Sequence, residues 1–295
     1  MTQFTHIFRN ITAVILLSLA AIPSISGATI DKVRFHDEAN DTTRITQLLL
    51  ECSAQQLPTH EARVAWFGRQ FLGKPYVAHT LEGEKEMVTV NLDELDCTTY
   101  VETVLALAYT VGEGRTSWRD FVHNLERMRY RNGTVGGYAS RLHYISDWIV
   151  DNSHRGNLVE ATLSVPGSDH IIKTIDFMSR HRDLYPALAD SVEYERIKNV
   201  EIGYRSHRYP YIKWTHLNNK ATLNALHEGD AVALTTTIKD LDVSHLGLLI
   251  KGDDGKLHLM HASSVKKKVI IDPLPLYDYF KKSRSLTGIR VIRLR

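Results

Sequence analysis

Apolar residues recur at helical spacing through the first half of the chain. Residues three and four positions apart share one face of a helix, so each such run predicts a helix with one buried face. Gly73-Lys74-Pro75 and Asn132-Gly133 interrupt the pattern, as turn formers do. The runs that predict helices are 45–52, a segment that begins after Thr59, 96–110 and 117–128.

The last third of the chain changes to short β-rich runs that are separated by turns. One of these turns, Gly252-Asp253-Asp254-Gly255, is of the kind that joins neighbouring antiparallel strands. The runs that predict strands are 231–236, 244–250, 257–262, 269–272 and 289–294. Helices followed by an antiparallel meander predict an α+β architecture rather than alternating β/α units.

The N-terminus has the features of a secretory signal peptide over residues 1–28. Arg9 precedes the apolar run 11–22, and Ser26-Gly27-Ala28 supplies small residues for cleavage. The apolar run is too short to anchor the chain across a bilayer, although a buried N-terminal helix is the alternative. We therefore expect a mature protein that begins near Thr29 and lies in the periplasm, without a membrane anchor.

Residues 29–295 read as a single domain, because no repeat, low-complexity segment or Pro/Gly/Ser-rich linker divides them. Residues 113–224 are the hardest to assign and are predicted to be an insertion that folds over the core. The formal net charge is only +2, and no basic block is interleaved with aromatic residues, so nucleic acid is not expected as a partner. The cationic run 266–268 is interpreted as the decoration of a turn between strands.

Two cysteines, Cys52 and Cys97, have contrasting surroundings. Cys52 lies on an apolar helical face and is predicted to be a small buried hydrophobic residue. Cys97 follows Asp96, a good N-cap, so it should lie in the first turn of a helix, where free N–H groups and the helix dipole favour a thiolate. The same amides could hold an oxyanion. A disulfide between the two cysteines is the alternative in an oxidising compartment.

A nucleophilic thiol needs a base, and one histidine stands out on an apolar strand. His245 lies in the run SHLGLLI, and the next predicted strand carries His258 and His261. Side chains alternate along a strand, so only one of these two can point at His245. Each histidine could instead be an ordinary half-buried side chain. No metal site is predicted, because no HExxH motif is present and His258 and His261 should diverge.

Several motifs in order resemble the NlpC-type branch of papain-like cell-wall hydrolases. They are GKPYV, LDCTTYVE, YRNG, GYASRLHYISDW, EGDAVALTT, SHLGLLI, LMHASS and GIRVIR. The chain looks most similar to the N-acetylmuramoyl-L-alanine amidase-like group within that branch. This resemblance implies a papain-like NlpC-type core in which the nucleophile helix packs on an antiparallel sheet, with a helical N-terminal segment and a central insertion.

The resemblance also implies a catalytic set of Cys97 and His245, with His261 as the third polar residue. It implies that Tyr76 and Asp96 line the substrate cleft. Thr98-Thr99 follows the cysteine where most of the superfamily has Ser-Gly, which favours the amidase-like branch over endopeptidase geometry.

The segment 137–148 is dense in planar and charged side chains. It could bind substrate, with Arg141 on a carboxylate, His143 beside it and Tyr144 or Trp148 against a sugar face. It could instead be a packing helix with Arg141 and Asp147 on the surface. We assign the substrate role to Arg141 and His143.

The implied activity is hydrolysis of the amide bond between N-acetylmuramic acid and L-alanine through a cysteine acyl-enzyme. Muropeptides are the expected substrates, and no cofactor is required. One alternative is a γ-D-glutamyl-diamino acid endopeptidase of the same fold. The other is a cell-wall-binding module that has kept a hydrolase fold without activity.

Overall fold

A computed structural model describes residues 33–295, so the predicted signal peptide lies outside the described residues. The helices are α1 Glu38–Ala54, α2 His60–Arg69, α3 Cys97–Gly112, α4 Trp118–Arg129, α5 Ile145–His154, α6 Phe177–Arg180, α7 Ser191–Ile202, α8 Lys220–Asn224 and α9 Leu276–Lys281. The strands are β1 Val33–Phe35, β2 Val88–Val90, β3 Leu158–Glu160, β4 Ser168–Lys173, β5 His207–Lys213, β6 Ala231–Thr236, β7 Val243–Lys251, β8 Leu257–Ser263, β9 Lys268–Pro275 and β10 Leu286–Leu294. In this part of the chain, no helix is both long and apolar enough to cross a membrane.

Helix α3 runs through the middle of the molecule. It packs against α1, α2 and α4, and it also contacts β7 and β8 of the sheet. Tyr100, Val101, Val104, Leu105 and Leu107 are each at most 1% exposed, although they do not share one face. A helix that is apolar nearly all round has to be covered on every side, which explains its central place.

The main sheet has the strand order β4-β5-β10-β6-β7-β8-β9, and β3 also pairs with β10. All neighbours in it are antiparallel. The predicted meander corresponds to β6 through β9, and the last strand returns between β5 and β6. With the helices packed together against this sheet, the α+β prediction is confirmed.

The predicted insertion, residues 113–224, divides between two places. Helix α4 packs Phe121, Leu125 and Met128 into the same core as α3, and β4 and β5 extend the main sheet. A separate apolar cluster includes Tyr144, the residue that precedes α5. Its description as an insertion stays a prediction, and its contribution to the main core is a feature that the sequence did not indicate.

Candidate active site

The start of α3 is fixed by the side chain of Asp96. Its Oδ1 accepts hydrogen bonds from the N–H groups of Thr98, at 3.0 Å, and Thr99, at 2.8 Å. In return, the N–H of Asp96 donates to the hydroxyl of Thr99 at 2.9 Å, which completes a capping box. The predicted N-cap is therefore confirmed, and Cys97 is the first residue of the helix.

This cap uses most of the free N–H groups of the first turn. Asp96 takes those of Thr98 and Thr99 with its side chain, and its carbonyl accepts from Tyr100. The expectation that the first-turn amides together hold an oxyanion is therefore too broad. Among the N–H groups of residues 97–100, that of Cys97 is the one that Asp96 does not engage.

The thiol of Cys97 is half-buried and uncharged at neutral pH. Burial, and then the nearby Asp96 carboxylate, raise its pKa to about 11. The N–H of Leu246 and the hydroxyl of Thr98 act in the opposite direction without offsetting it. The expected thiolate is thus corrected to a neutral thiol, because the thiol is buried and lies close to the Asp96 carboxylate. The N–H groups of Thr98 and Thr99, which could have stabilised the anion, are engaged by Asp96.

Two histidines contact each other on β7 and β8, the strands that pack against α3. A β-bulge leaves Ser244 unpaired between Val243 and His245, and bulges of this kind re-aim side chains. His245 Nε2 lies 2.6 Å from His261 Nδ1, with the rings at 89° to each other. The N–H of the next residue, Leu246, points at the Cys97 sulfur, so the backbone of β7 passes close to the thiol beside His245 in sequence. Burial, and to a smaller extent His261, lower the pKa of His245 to about 3, so the imidazole is neutral at pH 7.

The other histidine of β8 points elsewhere, as the alternation of side chains predicted. His258 Nδ1 contacts the carbonyl of Asp272 at 2.9 Å, and its Nε2 contacts Asp254 Oδ1 at 3.0 Å. His258 and His261 therefore diverge. Between residues 33 and 295, no group of three metal-ligating side chains converges.

Asp272 is a member of this cluster that the sequence reasoning missed. Its Oδ2 lies 3.8 Å from His261 Nε2, beyond hydrogen-bond reach but close enough for an ion pair. Burial raises the pKa of Asp272, yet His261 and the N–H of Leu274 outweigh it and hold that pKa below its usual value. An aspartate before Pro273 near the end of a predicted strand was the available clue.

Two tyrosines flank the thiol. Tyr76 is half-buried, and burial, Cys97 and Asp96 all raise its pKa, so its hydroxyl remains a hydrogen-bond donor. Tyr279, which was not predicted, lies with its ring centroid 5.8 Å from that of His261. Burial, then Asp272 and Cys97, raise the pKa of Tyr279 to about 12. The predicted position of Tyr76 beside the nucleophile agrees with this geometry.

The side chains of Arg141 and His143 are both bound by other groups of the protein. Arg141 is 8% exposed, and its guanidinium pairs with Glu82 at 2.9 Å and Glu86 at 3.0 Å. His143 Nε2 donates to the carbonyl of Tyr138 at 2.9 Å, and burial lowers the pKa of His143 to about 3. Their contact with substrate stays a prediction.

The aromatic residues of this segment pack in the interior: Tyr144 is 3% and Trp148 1% exposed, so the prediction that one of them lies against a sugar face is wrong. The alternative of a packing helix is right in that respect, but its placement of Arg141 and Asp147 on the surface is wrong. Asp147 is 3% exposed and accepts hydrogen bonds from Arg131 and the hydroxyl of Tyr204. Both charges are therefore buried and paired, which a packing helix with a solvated polar face would not require.

Both cysteines are free, so the disulfide alternative is wrong. Cys52 is 1% exposed on the apolar face of α1, and burial raises its pKa to about 11. The prediction of a small buried hydrophobic residue at this position is confirmed.

Comparison with known proteins relates this site to a family. A family model described as AmiA-like, N-acetylmuramoyl-L-alanine amidase-like, matches residues 66–289. An N-acetylmuramoyl-L-alanine amidase from Bacteroides uniformis is 38% identical, with a TM-score of 0.76, and the match covers 80% of this chain and 99% of that one. A comparison with curated proteins finds no match.

Two further solved structures are similar. A Bacteroides fragilis protein provisionally named a xylanase is 38% identical, with a TM-score of 0.73, over 78% of this chain and 100% of its own. A Legionella pneumophila protein is 24% identical, with a TM-score of 0.67, over 87% of this chain and 95% of its own. At 24% identity, the similarity to the Legionella pneumophila protein supports a shared fold and nothing further.

Proposed function

Because the chain belongs to the N-acetylmuramoyl-L-alanine amidase-like family, we propose that it is a peptidoglycan hydrolase that cuts the amide between N-acetylmuramic acid and L-alanine. The observation that carries the proposal is the contact of His245 with His261 on two strands that pack against α3, the helix that begins at Cys97. A nucleophile, a base and a group that orients the base are what acyl transfer requires. The central helix packed on an antiparallel sheet supports a papain-like NlpC-type core.

The hydrogen bond between the histidines suggests how the base is set. His245 uses Nε2 towards His261, so Nδ1 is the nitrogen left to take the Cys97 proton. In the neutral tautomer that can accept this proton, Nε2–H donates to His261 Nδ1. His261 then carries its own proton on Nε2, which faces the carboxylate of Asp272. This chain of contacts is proposed to fix the tautomer and the orientation of His245, with Nδ1 free to accept the proton.

The reaction begins with a neutral thiol and a neutral imidazole. As the sulfur of Cys97 attacks the lactyl carbonyl, its proton moves to His245 Nδ1. The N–H of Cys97 and the hydroxyl of Tyr76 are the donors proposed for the oxyanion. The carbon–nitrogen bond breaks, and the L-alanine amine leaves with the proton from His245. Water, deprotonated by His245, then hydrolyses the thioester, so no cofactor is consumed.

The remaining predicted contacts are part of the proposal. Asp96 uses Oδ1 to accept hydrogen bonds from the N–H groups of Thr98 and Thr99, and Oδ2 is proposed to contact substrate. Arg141 and His143 are proposed to contact a part of the substrate that lies farther from the Cys97 thiol. Arg141 would exchange Glu82, whose side chain is 35% exposed, and keep Glu86, whose side chain is 5% exposed. Residues 1–28 are proposed to direct the enzyme to the periplasm.

Other activities fit less well. Hydrolysis of a glycosidic bond, which the xylanase name implies, needs two carboxylates on either side of the sugar bond. At this site Asp96 caps a helix and Asp272 lies behind His261. A γ-D-glutamyl endopeptidase would use the same thiol and imidazole, and a wall-binding module would need neither. The products distinguish these alternatives.

Mass spectrometry of a purified muropeptide after digestion tests the bond that is cut. We expect a sugar with a free lactyl carboxylate together with an intact stem peptide that has a new L-alanine amine. The matched control is the Cys97→Ala protein, which should leave the muropeptide whole. A shortened stem and a fragment that ends in L-alanyl-D-glutamate would establish the endopeptidase and refute the amidase.

A further inference from the structure

The turn between β8 and β9 carries positive charge on the rim of the candidate active site. Its residues 264–267, and Lys268 after them, are all exposed, and Val265 at its tip is 84% exposed. Solvent-exposed turns commonly carry lysine, so charge alone would not distinguish this one. This turn differs from an ordinary lysine-bearing turn because it is attached to the segment that contains Tyr76.

Backbone hydrogen bonds fasten the turn to that segment. The N–H of Tyr76 donates to the carbonyl of Lys267 at 3.0 Å, and that of Val269 donates to the carbonyl of Lys74 at 2.8 Å. Lys267 has a φ of 57°, the left-handed region that non-glycine residues seldom occupy. A conformation of that kind persists where its surroundings enforce it, so the backbone of Lys267 has a defined position.

The side chain of Lys267 extends over the wall of the cleft. Its Nζ lies 5.9 Å from the centroid of the Tyr76 ring, within the range of a cation–π contact. The same tyrosine is close enough to Cys97 and Asp96 for both to raise its pKa. The ammonium group and the thiol are therefore both neighbours of Tyr76.

No carboxylate neutralises this charge within the described residues. Lys74, on the adjoining segment, pairs with Asp93 at 2.6 Å, whereas none of Lys266, Lys267 and Lys268 has an ion pair between residues 33 and 295. An unpaired cation at the edge of a cleft attracts anionic ligands and orients them. A bound peptide with free carboxylates would supply the missing partner.

We propose that Lys267 is a specificity-determining residue that binds a carboxylate of the peptide part of the substrate. This inference rests on the proposed function, since it names which muropeptides the same site selects: those whose stem carboxylates are free rather than amidated. Lys266 and Lys268 add to the local positive potential without lying over Tyr76. Val265 projects beyond them and takes no part in this contact.

Steady-state kinetics on two matched muropeptides tests the proposal. One has free stem carboxylates, and the other has the same carboxylates amidated. Lys267→Gln should lower kcat/KM about two- to fivefold for the free acid, as expected for an exposed ion pair, and leave the amidated substrate unchanged. Lys251→Gln, at the far end of β7, is the control and should change neither. Equal effects of Lys267→Gln on both substrates would overturn the proposal.

Binding to the inactive Cys97→Ala protein separates this proposal from the proposed function. Calorimetric titration should show tighter binding of the free acid than of the amidated muropeptide, and Lys267→Gln should remove the difference. That result with no turnover by the unmodified protein would reject the amidase and keep the carboxylate site. Equal affinity for both muropeptides would reject the carboxylate site. Lys267-dependent binding only to vesicles of anionic phospholipid would also reject it, in favour of a membrane contact by the exposed Val265.

Discussion

Replacing Cys97 with alanine should lower turnover of muropeptide by at least about a thousandfold while the protein stays folded. The reason is that the members of a nucleophile–base set act as a unit, so loss of the nucleophile removes nearly all catalysis by the set. Cys97 is half-buried at the start of α3, and alanine keeps the helix and the Asp96 cap. The measurement is kcat/KM, with circular dichroism and thermal melting to show an unchanged fold.

Cys52→Ala is the matched control. Cys52 is 1% exposed in the core, so its replacement should cost about 1–2 kcal/mol of stability and leave kcat/KM unchanged. Alkylation of the native protein should likewise label Cys97 before Cys52. Equal losses of activity in the two variants would mean that Cys97 acts through the fold and not as the nucleophile.

Replacing His245 with alanine should lower turnover nearly as much, by roughly a hundred- to ten-thousandfold. The thiol of Cys97 has a pKa raised by burial to about 11, so without a base almost none of it is ionised at pH 7. The residual rate of His245→Ala should then rise about tenfold per pH unit below that pKa, as the thiolate fraction grows. The unmodified protein should instead be nearly level from about pH 5 to about pH 9, because burial lowers the pKa of His245 to about 3 and keeps its base form available.

Two neighbouring histidines provide the controls for this result. His261→Ala should keep measurable residual activity, since water can partly replace a group that orients the base. His258→Ala should matter less still, because His258 contacts Asp254 and the Asp272 carbonyl instead of His245. A larger loss from His258→Ala than from His261→Ala would contradict the proposed roles. A parallel rise of rate with pH in the unmodified protein would contradict the role of His245.

The elements with strong local patterns were predictable from the sequence. Helix α3 begins one residue after its predicted N-cap, and β6 covers the predicted run 231–236. Strands β4 and β5 were not predicted, because β4 is only partly buried and β5 contains Pro210, which weakens a strand pattern. The position of β10 between β5 and β6 depends on contacts far apart in sequence, which no local pattern carries.

The candidate site, too, was only partly predictable from the sequence. Cys97 and His245 stand out locally. The alternation along β8 allowed only one of its two histidines to face His245, and the family resemblance implied that it is His261. Asp272 reaches His261 because β8 and β9 pair irregularly where Met260 faces Ile271 and His258 faces Pro275, and a sequence does not reveal such a bulge.

The pKa of Cys97 also required the structure. The sequence identified the cap at Asp96, but not that its carboxylate would occupy the N–H groups expected to stabilise a thiolate. Burial of the thiol then decides the direction of the pKa shift.

The acyl-enzyme itself tests the central claim most directly. Muropeptide is mixed with the His261→Ala protein, in which deacylation should be slow, quenched with acid and digested for peptide mass mapping. The account predicts a thioester on the peptide that contains Cys97, with the added mass of the sugar and its lactyl group and no amino acid. An adduct heavier by L-alanyl-D-glutamate, or a sugar adduct on any residue other than Cys97, would contradict it.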